Sequence, residues 1–146
     1  MTKQTDYAIV LMSQIAESGG ARHTASALAA DTLLPQPMVS KILKLLAKAG
    51  LLESHRGAKG GYTLAQAPRD VTVAGIIAAL EGPISITECT SDVPHECSYE
   101  ASCRVRGNWR RINDAVRKAL ESITLDDIVL STPKGPAHST QLIGLG

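Results

Sequence analysis

Residues 37 to 48 constrain this chain more than any other stretch. Val39, Ile42, Leu43 and Leu46 fall at the spacing of a single helical face, so this segment must bury one side of an α-helix in a core. The opposite face shows Ser40, Lys41, Lys44 and Lys48. Pro37 suits a first helical residue, because its missing N–H would have no partner there, and Gly50 is a C-terminal stop. Upstream, Thr24 is placed to cap a short helix over Ala25 to Asp31. A short helix, a tight turn through Leu33 to Pro37, and a second helix that is apolar inside and basic outside match a helix-turn-helix.

The residues on either side extend that pattern. Ala8, Leu11, Met12 and Ile15 form an apolar stripe, which predicts a first helix from Thr5 to about Ser18, ended by Gly19-Gly20. Downstream, Leu51 to Ser54 and Tyr62 to Leu64 read as two strands joined by a glycine-rich turn that carries Arg56 and Lys59. A basic hairpin behind a basic helix is the winged helix-turn-helix arrangement, with the helix in the major groove and the wing on the backbone or minor groove.

Charge segregation supports a nucleic-acid partner. The net charge is only +1, yet Lys41, Lys44, Lys48, Arg56 and Lys59 cluster against a lone Glu53, while Glu81 to Glu100 holds five acids and no Lys or Arg. No signal peptide and no apolar run of membrane-spanning length is expected. The expected compartment is the cytoplasm.

The only three cysteines, Cys89, Cys97 and Cys103, fall within fifteen residues in a segment that reads as a loop. An odd number of thiols cannot pair completely, and clustered soft ligands in a reducing compartment select an iron-sulfur cluster or zinc. Val71 to Leu80 predicts a helix before this loop, closed by Gly82-Pro83. After it, Trp109, Ile112, Val116, Ala119 and Ile123 recur at heptad spacing. A helix so short must pack on something, either its own core or a second copy in a dimer seam. Thr124 and Asp127 have capping-box spacing for a short terminal helix through Leu130.

The expected fold class is therefore mainly α with a small β wing, a winged helix-turn-helix DNA-binding domain plus a long dimerisation helix. The expected parts are a DNA-binding domain over 1–82, a cluster-binding loop over 83–107, dimerisation and terminal helices over 108–132, and a disordered tail over 133–146.

Over residues 1 to 132 the chain resembles the IscR and NsrR type of bacterial iron-sulfur transcription regulators, and most closely the subgroup that controls Suf iron-sulfur assembly genes. The resemblance rests on Gln4-Thr5-Asp6-Tyr7-Ala8, the wing Arg56 to Tyr62, the three cysteines, and Arg106 to Asn113. It implies a homodimer that binds a double-stranded operator. It also implies a 2Fe-2S or 4Fe-4S cluster held by Cys89, Cys97 and Cys103, no enzymatic activity, and repression as the output. Gln36, Met38, Ser40 and Lys41, at the start of the recognition helix, are the expected base readers. Lys44, Lys48, Arg56 and Lys59 are the expected phosphate contacts.

Two departures from the pattern matter. IscR has a histidine ligand three residues past the third cysteine, where this chain has Arg106, whose guanidinium stays protonated and cannot ligate. NsrR-type members use a first-helix aspartate of the partner subunit, and Asp6 matches it; His95 and Glu96 are its rivals. Seven residues separate Cys89 from Cys97, against five in those relatives. A nitric-oxide- or redox-sensing repressor, an electron-transfer iron-sulfur protein and a zinc-stabilised winged-helix module are the competing readings.

Overall fold

The computed structural model describes residues 2–58, 60–85, 104 and 106–132. Helix α1 spans Lys3–Glu17 and buries Thr5, Ala8, Leu11, Met12 and Ile15. It begins two residues before the predicted start, because Thr2 is the N-cap and accepts from the Thr5 N–H. Gly19 and Gly20, both at positive φ, end it. Helix α2, Ala25–Thr32, is capped by Thr24, whose hydroxyl accepts from the Ala27 N–H. Its C-cap is Leu33 in the left-handed conformation, at φ 59. Helix α3, Gln36–Lys48, has Pro35 as N-cap with Pro37 inside the first turn, and buries Val39, Ile42, Leu43 and Leu46.

Strands β1 (Leu52–His55) and β2 (Gly61–Leu64) form the hairpin, antiparallel from Leu52 opposite Leu64 to His55 opposite Gly61. Its second strand is held from outside. Tyr62 exchanges two backbone hydrogen bonds with His23, at 3.1 and 2.7 Å, so the segment before α2 acts as a short third rung. That contact dictates a glycine at 61: a Cβ there would lie 2.7 Å from the His23 carbonyl oxygen, and φ is +138.

A single 3-10 turn at Pro68–Asp70 leads into α4, Val73–Glu81. The helix starts two residues later than Val71 because Thr72 caps it, its hydroxyl accepting from the Gly75 N–H. Helix α5 runs from Arg106 to Ser122 and α6 from Leu125 to Ser131. The predicted capping box at Thr124 and Asp127 is present on both sides. Backbone bonds from Val73 N–H to the Ile123 carbonyl and from Leu125 N–H to the Val71 carbonyl return the chain to the start of α4. Leu125 then joins one core with residues of α1, α2, α3 and α4. The fold is mainly helical with a two-stranded wing, as the sequence predicts. No helix among the described residues is long and apolar enough to cross a membrane.

Candidate DNA-binding surface and cysteine segment

The two faces of α3 separate completely. At about 100° per residue, Gln36, Pro37, Ser40, Lys41, Lys44 and Lys48 fall within an arc of roughly 140°, and the four buried residues occupy the opposite side. Val39, Ile42, Leu43 and Leu46 are fully buried, whereas Gln36, Lys41, Lys44 and Lys48 are exposed. Ser40 is half-buried. Met38 is also half-buried and packs against the core, so only part of its side chain is open to a base edge. Leu33, at the turn before α3, is 90% exposed.

Arg56 is exposed at the wing, and Lys59 lies outside the described residues. His55 Nε2 lies 2.9 Å from the Thr63 hydroxyl across the hairpin, which ties the two strands below the tip. A rigid hairpin fixes where a tip cation stands relative to α3, and phosphate contacts of this sort set register on a duplex.

Asp6 is exposed in the first turn of α1, and among the described residues its carboxylate accepts no hydrogen bond. Cys89, Cys97 and Cys103, with His95 and Glu96, lie outside the described residues, and the side chain of Arg106 is not described. The frame around the segment is described. Its entry at Ile84 is fixed to α5, because the Ile84 carbonyl accepts from Arg117 Nη2 at 3.2 Å and from Asn113 Nδ2 at 3.5 Å. Among the described residues no three His, Cys, Asp or Glu side chains converge to hold a metal ion.

Helix α5 leaves part of its apolar stripe exposed. Ile112 and Val116 on its stripe are 44% and 37% exposed, and Ile123, just past its end, is 42% exposed. Among the described side chains of α5 the buried one is Asn113, at 2%. The helix thus meets its own chain through Asn113 and the half-buried Trp109, Arg117 and Leu120, and leaves Ile112 and Val116 open for another surface to cover.

Sequence reasoning missed two features of the site. Glu81, counted only as one acid among five, accepts from the Thr2 N–H and from the Thr5 hydroxyl at 3.0 Å. These contacts hold its carboxyl below the ordinary range, chiefly through the Thr2 N–H and with help from the Thr2 and Thr5 hydroxyls, against a smaller opposing effect of burial. Asn113 is the second, since nothing in the heptad pattern marks it as buried.

A basic helix seated on a helical core, with a basic wing beside it, defines a winged helix-turn-helix regulator. Comparison with known proteins makes the family specific. Residues 1–131 match the Rrf2 family, described as iron-dependent transcriptional regulators, and this chain belongs to that family. It is 35% identical to the HTH-type transcriptional regulator CymR of Bacillus subtilis over 86% of each chain. It is 31% identical to the HTH-type transcriptional repressor NsrR of Streptomyces coelicolor over 99% of this chain and 95% of that one. Among solved structures it is similar to CymR, titled the global cysteine regulator of B. subtilis, with a TM-score of 0.72 at 32% identity over 91% of this chain and 98% of that one. It is also similar to T. potens IscR, with a TM-score of 0.67 at 26% identity over 92% and 93%. The protein is therefore a transcription regulator and not an enzyme.

Proposed function

We propose that this chain is a cytoplasmic, homodimeric repressor of Suf-type iron-sulfur assembly genes, whose grip on double-stranded operator DNA depends on an iron-sulfur cluster. The observation that carries the reading is the exposed Gln36, Lys41, Lys44 and Lys48 face of α3, set on four fully buried residues beside the wing. Gln36, Met38, Ser40 and Lys41 are the proposed base readers, and Lys44, Lys48, Arg56 and Lys59 the proposed phosphate contacts. Two copies joined along the exposed stripe of α5 would present two recognition helices to two half-sites.

The donor set suits the cofactor: Cys89, Cys97 and Cys103 supply soft thiolates, and Asp6 of the partner subunit supplies an exposed carboxylate that accepts no hydrogen bond among the described residues. A bound cluster would supply a site that oxidants, nitric oxide or iron shortage can dismantle. Asp6 would then clasp one subunit to the other, and releasing it would alter the spacing of the two α3 helices. Specific and non-specific binding typically differ by about 4 to 10 kcal/mol, so a small change of spacing is enough to switch the output.

The resemblance to NsrR over 99% of the chain favours, as a second reading, a nitric-oxide or redox signal acting on the same ligands. Anaerobic purification tests the cofactor. The expected protein is brown, contains iron and sulfide, and bleaches when any one of Cys89, Cys97 and Cys103 becomes Ala. A colourless protein with stoichiometric zinc would refute the reading. Asp6→Ala is expected to load the cluster poorly or lose it faster in air, with His95→Ala behaving as wild type.

A further inference from the structure

The start of α1 and the end of α4 meet at a single carboxylate. Thr2 caps α1, and its Oγ1 lies 3.4 Å from both the Thr5 N–H and the Thr5 hydroxyl. Thr5 is fully buried, so its hydroxyl needs a partner inside the fold. Glu81 Oε1 is that partner, and the same oxygen takes the Thr2 N–H. Asp6 follows directly, its N–H donating to the Thr2 carbonyl at 3.3 Å. The turn that displays Asp6 is therefore pinned at its first residue and at the residue before Asp6, both times by Glu81.

Glu81 is also the last residue of α4, and seven residues, 82 to 88, separate it from Cys89. Two residues beyond Gly82, the Ile84 carbonyl is held by Asn113 and Arg117 of α5. The root of the cysteine segment is thus fixed on one side to the dimerisation helix and on the other to the turn that carries Asp6.

We propose that Glu81 is a positioning residue that fixes Asp6 for the partner's cluster and links that turn to the root of its own subunit's cysteine segment. This rests on the proposed role of Asp6. The function of Glu81 is to accept two hydrogen bonds, not to ligate and not to supply charge. Because Asp6 serves one cluster while Glu81 stands at the root of the other, disturbance of one cysteine segment has a direct mechanical route to the opposite site.

A double-mutant cycle on the homodimer tests this, read as the lifetime of visible absorbance in air after anaerobic loading. Glu81→Ala is expected to shorten the lifetime by roughly fivefold or more, the equivalent of about 1 kcal/mol for a lost hydrogen bond. Glu81→Gln, whose amide oxygen accepts the same two bonds, is expected to stay near wild type. In an Asp6→Ala background, Glu81→Ala should add less than about twofold, because residues acting through one another do not add. A readout without any cluster accompanies it: in apo protein, amide exchange at Thr5 and Asp6 should accelerate in Glu81→Ala and not in Glu81→Gln. If Glu81→Gln fails like Glu81→Ala, charge or ligation is at work and the proposal falls. If the two defects multiply while Asp6→Ala alone is defective, Glu81 acts elsewhere and only this inference falls. If Asp6→Ala is silent, the ligand role of Asp6 falls and the inference with it. Unchanged exchange at Thr5 and Asp6 would overturn the clasp itself.

Discussion

Replacing Gly61 by Ala should detach the wing from the body of the protein. The position combines two demands, a φ of +138 and a His23 carbonyl oxygen 2.7 Å from where a Cβ would stand. Gly20 provides an internal control, since its φ is +102 but nothing lies within 4 Å of its Cβ position. An L-residue held in such a conformation costs about 1 to 3 kcal/mol, which both variants bear. Gly61→Ala must also push His23 away and so disrupt both hydrogen bonds between His23 and Tyr62. At a net 0.5 to 1.5 kcal/mol each, these add roughly 1 to 3 kcal/mol. The expected losses are about 1 to 3 kcal/mol for Gly20→Ala and about 2 to 6 for Gly61→Ala, against a typical total of about 5 to 15. Urea unfolding followed by circular dichroism measures both. A Gly61→Ala loss within about 0.5 kcal/mol of Gly20→Ala would show that the His23 contact is not what demands glycine, refuting the argument.

Neutralising Lys44 should weaken binding to all duplexes alike and flatten the log-log salt dependence by about 0.9 per subunit bound; an unchanged slope would remove Lys44 from the phosphate contacts. Ile112→Asp places a charge on the exposed α5 stripe, and sedimentation at micromolar concentration should show a monomer, whereas a persisting dimer would move the seam elsewhere. Two carboxyls, Glu81 and Asp127, have lowered pKa values, the latter chiefly through the Thr124 N–H and hydroxyl. Their contribution to stability is complete above the ordinary values of 4.5 and 3.8 and is lost as pH falls through the lowered ones. Acid unfolding should accordingly begin at higher pH in Thr124→Val, which removes one of the contacts that lower Asp127, and the midpoint by circular dichroism checks it.

The parts of this fold that were legible in the sequence are those fixed by local spacing. The two faces of α3, the stripe of α1 and the capping box at Thr124 depend on neighbours within a turn or two, so their residue types announce them. Boundaries shifted where a threonine took the cap, Thr2 ahead of the predicted start of α1 and Thr72 inside the predicted start of α4. The glycine at 61 was readable as part of a turn, but its reason, the backbone of His23, comes from 38 positions earlier in the chain. The stripe of α5 was readable and its partner was not, because a seam with a second chain and a core helix share one periodicity. Only the exposure of Ile112 and Val116 separates them. The tie from Glu81 to Thr5 spans 76 positions and leaves no mark in local pattern. The proposed ligands Cys89, Cys97 and Cys103 were singled out by their clustering, their odd number and the family resemblance, and lie outside the described residues.

The most direct test of an iron-sulfur-dependent regulator is the affinity of one anaerobic preparation for a duplex selected from random sequence, measured at fixed salt before and after removal of its iron. The two states are expected to differ by at least about tenfold, or roughly 1.4 kcal/mol. A preparation that carries a cluster and yet binds the duplex equally well without it would contradict the account.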